Sequence, residues 1–301
     1  MGEDSESVTE AEFPSVAVLL AAYNGREWLG EQVDSILSQQ GVEVTIFVSV
    51  DASSDNTEEM VATLARNDSR IKPLPFGRRF GGAGPNFFRL LTECDLDSFD
   101  AVALSDQDDI WLEYKLARAC RIIREGKADV VSSDVVAFWP GSRKKTIRKS
   151  QPQRKLDYFF EAAGPGCTYV FGGACIQAFQ KFLIHNSTGL GKVVLHDWLA
   201  YAFCRHNGFR WFIDSEPSML YRQHSGNQVG TNKGLKAILK RLEMVRSHWY
   251  RRQVKAISQL VAPDFPERVT SFKFMLKNAN QLRRKRSERF ALVAMRLVGL
   301  F

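Results

Sequence analysis

Along the chain, unbroken apolar runs of strand length alternate with stretches whose apolar residues recur every three or four positions. VAVLLAA (16–22) is the first run, and REWLGEQVDSILSQQ after it places Trp28, Leu29, Val33, Ile36 and Leu37 at helical spacing. VTIFVSV (44–50) predicts a second strand, followed by a cap-like Ser54-Asp55 and a helix over 58–65. Proline limits IKPLP (71–75) to an edge strand. PNFFRLLTEC predicts a helix opening at Asn86, and DAVALS (100–105) a buried strand. LEYKLARACRIIRE predicts a further helix, and ADVVSSDVVAF (128–138) another strand. This order predicts an α/β domain, a mainly parallel sheet flanked by helices.

After about residue 231 the pattern changes. Leu235, Ile238, Leu242, Val245 and Trp249 form an apolar helical stripe, with Lys236, Lys240, Arg241, Arg246, Arg251, Arg252 and Lys255 around it. Pro263 and Pro266 interrupt it, and a second helical pattern runs from Val269 to the end. Charge follows the same division. From Lys233 onward there are 17 Lys+Arg against 4 Asp+Glu, so the tail carries +13 of a net +7 and residues 1–232 carry −6. A basic amphipathic tail on an acidic body predicts an anionic partner, membrane phospholipid or nucleic acid. Without basic motifs interleaved with aromatics, nucleic acid is the weaker reading. The domains read as an acidic N-terminus (1–13), a catalytic domain (14–230) and a basic helical tail (231–301).

Other features exclude more than they propose. Five cysteines without a CxxC pair signal neither a disulfide framework nor a zinc site. MGEDSESVTEAE has five acids and no base, the reverse of a signal peptide, and no apolar run approaches the length of a membrane span. The expected location is the cytoplasm.

In a sheet of this kind, ligands bind beyond the carboxyl ends of the strands. There the chain reads AAYNG, VDASSD and SDQDD, polar loops of which two are acidic. Asp106 and Asp108, spaced as DxD, suit a hard divalent cation, Mg²⁺ or Mn²⁺, that also binds a diphosphate. Asp109 reads instead as a cap for a helix starting at Trp111. The acidic loop lies mid-chain, with no Thr where a haloacid dehalogenase-type phosphatase would have one. A nucleotidyltransferase's Gly-rich basic loop, a P-loop and GxGxxG are also absent.

AAYNG, DASSD, SDQDDIW and LHDW in this order resemble an inverting family 2 glycosyltransferase of the A-type fold, over about residues 16–230. The resemblance implies that Tyr23 and Asp51 hold the donor base, with Ala22, Asn24, Asn86, Asp106 and Gln107 completing the nucleotide site. It implies a metal on Asp106 and Asp108, with His224 of YRQHSGNQVG beside the diphosphate, and Asp197 of HDW as catalytic base. Asp197 also suits an N-cap for WLAYAFCRHNG. Cys167, Thr168, His196 and Trp198 would line the sugar and acceptor cleft, Trp198 reading equally as a core residue, and FGGAGPNF (80–87) would lie over the donor. His185, His206 and His248 read as surface or packing residues.

One departure is Val50, where relatives carry a first acid before Asp51. The QxxRW motif of processive polymerases is missing, which implies transfer of one sugar at a time. The nearest resemblance within the family is to bacterial rhamnosyltransferases of lipopolysaccharide core or O-antigen. It implies dTDP-L-rhamnose as donor, with UDP-galactose or UDP-glucose as alternatives, and a saccharide or lipid-linked saccharide acceptor. The tail adds an expectation of peripheral attachment to the inner face of the plasma membrane, with Arg283, Arg284, Lys285 and Arg286 on anionic lipid. Phe290, Leu292, Val293, Leu297 and Phe301 would dip into the interface.

Overall fold

The computed structural model describes residues 13–224, 248–264, 266–297, 299 and 301. Its centre is a seven-stranded sheet in the order β10-β6-β9-β4-β1-β2-β3. β1 (Ser15–Ala22), β2 (Glu43–Val50), β3 (Ile71–Pro73) and β4 (Ala101–Ser105) run parallel, and β3 is an edge strand. β9 (Val170–Gly172) lies antiparallel between β4 and β6 (Val130–Ser133), and β10 (Trp211–Asp214) pairs parallel with β6. The unbroken apolar runs follow from cover on both faces. Val16, Val18 and Leu20 enter one core layer and Ala17, Leu19 and Ala21 the other. Each fully buried Val or Leu contributes roughly 1.5–3 kcal/mol.

Helices α1 (Leu29–Leu37), α2 (Thr57–Asn67) and α4 (Lys115–Arg124) cover the first face. On the other lie α3 (Ala83–Glu93), α5 (Gly173–His185) and α7 (His196–His206), with short α6 (Ser187–Leu190) between the last two. Expected and observed elements differ in three places. Residues 128–138 form two strands, because the chain leaves the large sheet at buried Asp134 and enters a second sheet as β7 (Val135–Phe138). Asp134 holds that crossing by accepting from Lys149 N and Ser150 N at 2.6 and 2.8 Å. Trp111 starts no helix; it lies in β5 (Ile110–Trp111), paired with β11 (Met219–Arg222). The second sheet has the order β5-β11-β7-β8, where β8 is Lys144–Ile147. Finally, α3 opens at Ala83, three residues before Asn86.

The boundary expected at 230/231, and the stripe from Leu235 to Val245, lie outside the described residues. From His248 on, the chain forms α8 (Trp249–Val261), α9 (Pro266–Val269), α10 (Phe272–Lys277) and α11 (Arg286–Leu297), not one helix from Val269. Val254, Ile257, Met275, Leu282, Leu292 and Phe301 share a core with α3, α5 and α7. This corrects the expected lipid surface. Arg284 is buried, its Nη2 donating to Ala162 O and Ala163 O, and Arg283 donates to Phe160 O at 2.9 Å. Leu292 and Phe301 are buried as well, because the helices need those apolar faces to dock. Phe290 and Leu297 stay exposed, at 69% and 65%.

Candidate active site

β1, β2 and β4 end side by side, with Ala22 opposite Val50 and Leu20 opposite Ser105. The loops after them therefore meet at one edge. Their backbones are fastened to one another. Asn24 takes a left-handed φ of 45° and donates from N to Ser53 Oγ, while its Oδ1 accepts from Ser54 N at 2.8 Å. Gln107 clamps Tyr23, its Oε1 accepting from Tyr23 N at 2.7 Å and its Nε2 donating to Tyr23 O at 2.9 Å. Gly25 is required beside this clamp, since a Cβ there would stand 2.1 Å from Gln107 Oε1. The Tyr23 ring is left exposed.

Three residues expected at the nucleotide make contacts within the protein. Asp51 is buried, and its two oxygens accept from Phe80 N and Gly81 N at 2.8 Å each, holding the 80–82 loop over the strand ends. Asn86 is buried inside α3, its Nδ2 donating to Ala22 O and Ser49 O at 3.3 and 3.0 Å. Ala22 is buried, and its carbonyl also accepts from Asp51 N.

The acidic loop is held from the far end of the domain. His224 Nε2 lies 2.7 Å from Asp108 Oδ2, so these two expected metal-site residues, 116 positions apart, are in contact. Trp28 stacks on the His224 ring with centroids 4.0 Å apart. Arg222, two residues before that histidine, was missed from sequence although it stands in the same YRQH stretch. Its Nε donates to Asp108 O and its N to Asp109 Oδ1, and it pairs with Glu31. Asp109 is thus a buried brace and no helix cap. Burial, and next the charge of Asp108, push Asp106 up to about 7.

Asp106, Asp109 and Cys167 also bring ligand atoms within 4.8 Å of one another. A hard cation does not fit there. The soft Cys167 sulfur is a poor ligand for Mg²⁺ or Mn²⁺, and Asp109 Oδ1 already accepts from Arg222 N. The set Asp108, Asp106 and His224 suits such a cation by donor type, two carboxylates and an imidazole, with His224 in contact with Asp108 and the Asp108 charge acting on Asp106.

Cys167 and Thr168 form a short turn, Gly166–Thr168, and are buried beneath the cleft rather than lining it. Lys115, also missed from sequence, donates from Nζ to Cys167 O at 3.2 Å and is buried, which draws its ammonium down to about 8. Trp198 is likewise buried, with Nε1 donating to Tyr158 O at 2.9 Å and the ring stacked on Tyr250. It packs, and forms no wall of a sugar site.

α7 begins at His196 after extended Leu195, so Asp197 lies in its first turn and is not the N-cap. Its Oδ1 accepts from Trp198 N at 2.7 Å. Burial raises its carboxyl to about 6. Its charge also raises Asp106, whose carboxylate lies near Cys167 in the turn that packs against Asp197. His196 stacks on Phe87 at 3.9 Å, and burial lowers it to about 3, leaving it neutral. Gly166 lets the turn approach both residues: a Cβ there would lie 2.7 Å from His196 Nε2 and 3.1 Å from Asp197 Cβ.

This sheet, with its acidic strand-end loops and a buried carboxylate at a helix start, has the A-type glycosyltransferase fold. The chain belongs to glycosyl transferase family 2, whose family model matches residues 17–185. It is 41% identical to the dTDP-rhamnosyl transferase RfbG of Shigella flexneri over 289 residues, 94% of this chain and all of that one. It is 27% identical to the GalNAc(5)-diNAcBac-PP-undecaprenol beta-1,3-glucosyltransferase of Campylobacter jejuni, over 58% of this chain and 54% of that protein. Among solved structures, TarS 1–349 of S. aureus in complex with UDP superposes with a TM-score of 0.58 at 15% identity, over 88% of this chain and 72% of that one. The mannosyltransferase PcManGT of Pyrobaculum calidifontis, with GDP-Man and Mn²⁺, gives 0.50 at 15% identity, over 97% and 82%. The chain is a glycosyltransferase.

Proposed function

We propose that the enzyme transfers one L-rhamnose from dTDP-L-rhamnose, with inversion, onto a saccharide acceptor of a bacterial surface polysaccharide such as lipopolysaccharide O-antigen. The observation that carries the chemistry is the pairing of the Asp106–Asp108–His224 group with a buried, electrostatically linked Asp197 in one site. The identity to a dTDP-rhamnosyl transferase over almost the whole chain supports the donor.

Asp108 and Asp106, with His224 alongside, would hold Mg²⁺ or Mn²⁺, as the Mn²⁺ in the mannosyltransferase complex suggests by analogy. Bound there, the ion supplies positive charge that stabilises a departing nucleoside diphosphate. The other roles fall to the chain. Tyr23, exposed at the mouth and fixed through its backbone by Gln107, offers a ring face to the donor base. Asn24 and Gln107 hold that loop in shape. Asp197 Oδ2 takes the proton of the acceptor hydroxyl as the hydroxyl oxygen attacks the anomeric carbon. With a pKa of about 6 the carboxylate is ionised at neutral pH and still basic enough to accept that proton. A single base without a nucleophilic partner implies one displacement, hence inversion.

We also infer that the enzyme works at a membrane surface, supported by the exposed Phe290 and Leu297 beside Lys285 and Arg286. Among the described residues no helix is long and apolar enough to cross a membrane. The donor is tested by thermal unfolding with Mn²⁺ and each nucleotide sugar. At a hundred times its dissociation constant the true donor adds about 2.7 kcal/mol. Stabilisation by UDP-glucose or UDP-galactose, with none by dTDP-rhamnose, overturns the rhamnose assignment and leaves the enzyme class standing.

A further inference from the structure

Where the C-terminal helices meet the catalytic domain, far along the chain from the acidic loop, a cleft of about 660 Å³ opens. Five bases line it (Arg154, Arg284, Lys285, Arg286 and Arg289) and no acid does. Nearby carboxylates are turned elsewhere. Glu161 meets Arg284 at 3.4 Å from the domain side, and Glu288 pairs with Arg283 and Lys285. Arg154, Arg286 and Arg289 have no carboxylate within ion-pair distance among the described residues. Nε of Arg154 and Nε of Arg284 are buried and make no hydrogen bond among the described residues. Burial and the charges of Arg154 and Arg286 pull Arg289 below its ordinary range against the opposing charge of Glu161, while its Nε and Nη2 donate to Arg283 O and Arg284 O.

One turn beyond Arg286 the exposed face of α11 becomes apolar. Phe290, Ala291, Ala294 and Leu297 follow at helical spacing, all exposed, with Phe290 and Leu297 the most prominent. α10, which packs on α11, exposes Phe272 and Leu276 alternating with Lys273 and Lys277. A nucleic acid would satisfy the cleft and leave these apolar groups in water. An amphiphile with an anionic head satisfies both. Clustered guanidinium groups at a helix start favour a phosphate head, which accepts several charge-assisted hydrogen bonds at once.

We propose that this junction seats a phosphate-bearing lipid, with the headgroup phosphate in the cationic cleft and the hydrocarbon along Phe290, Ala294 and Leu297. The inference rests on the membrane-surface reading above and deepens it from general attraction to recognition of a headgroup. The cleft is electrostatically linked to the site. The charges of Arg284 and Lys285 act on Lys149, and that of Lys149 acts on Asp197.

The test is co-sedimentation of the full chain with vesicles containing phosphatidic acid or phosphatidylserine, matched in surface charge. The wild type should favour phosphatidic acid by about ten-fold or more. Arg286→Gln, at an exposed side chain, should weaken that binding roughly five-fold, and Arg154→Gln/Lys285→Gln/Arg286→Gln roughly a hundred-fold. Phe290→Ser/Leu297→Ser should weaken binding to both vesicles alike. Unchanged thermal midpoints show that the variants fold; if the triple variant unfolds, Arg286→Gln alone carries the test. Equal binding to both vesicles removes the headgroup site and leaves membrane attachment standing. Binding to neither removes both. Tight binding of inorganic pyrophosphate without vesicle binding, or tighter binding to a random oligonucleotide, overturns the lipid assignment.

Discussion

At the scale of single residues, Asp197 carries the sharpest expectations. It must be ionised to act, and its carboxyl is raised to about 6 by burial. Turnover at limiting substrate should therefore fall about ten-fold per pH unit below pH 6 and level off above it, in a pH profile of kcat/KM. Stability runs the other way. A carboxyl whose folded pKa lies above its unfolded value binds protons more tightly when folded, so its contribution to stability declines as pH rises from about 4 to 6. Asp197→Asn should then cut kcat by roughly 10²–10⁴-fold with donor affinity little changed and the thermal midpoint at pH 8 not lowered. Near-normal turnover in that variant would reduce Asp197 to a helix-start residue. Asp108→Ala removes one carboxylate and the His224 contact together. It should abolish the thermal stabilisation that Mn²⁺ gives the wild type, read without any substrate, and abolish turnover with the fold intact. Retention of the Mn²⁺ response would move the ion elsewhere.

Between elements, close approaches decide the site's shape. The turn Gly166–Thr168 runs under α7 only because residue 166 lacks a Cβ. Gly166→Ala should displace His196 and the base, lowering kcat by at least ten-fold while donor binding is retained. Equal loss of donor affinity would show that the turn supports the nucleotide loops instead. Gly25→Ala meets only the flexible end of Gln107, so the fold survives, but the Tyr23 clamp opens and donor affinity should drop. The register of the parallel strands explains why the acidic loops meet at all, with Ala22 beside Val50 and Leu20 beside Ser105. Gln32 of α1 helps hold that edge, donating to Ser105 Oγ at 3.0 Å.

For the molecule as a whole, the C-terminal helices belong to the catalytic unit. Arg284 joins them to it, donating to Ala162 O and Ala163 O while facing Glu161 and Asp157. Removing one partner of a buried ionic group leaves the others uncompensated, at a cost of about 3–5 kcal/mol. Arg284→Ala should therefore lower the unfolding midpoint in denaturant sharply, whereas Arg286→Gln at an exposed position should leave it unchanged. An Arg284→Ala protein as stable as wild type would mean that the helices dock only loosely.

The local pattern along the chain determined the α/β class, most strands of the parallel sheet and the loops that bear the chemistry. Each of these depends on neighbours in sequence: an apolar run of strand length, a helical stripe after it, polar residues at the junction. Asp106, Asp108, Asp197 and His224 were legible as candidates because the order of motifs names them. Contacts between distant residues were not, since periodicity carries no information about which side chains meet. Only the tertiary structure decided that Asp108 meets His224, that Asp51 and Asn86 hold backbone, and that Trp198 and Cys167 are buried. The same holds for the tail, where charge composition predicted a solvated lipid-facing surface. Folding divided that set, burying Arg284, Leu292 and Phe301 where the domain offered carbonyls and apolar surface, and leaving Lys285, Arg286, Phe290 and Leu297 outside.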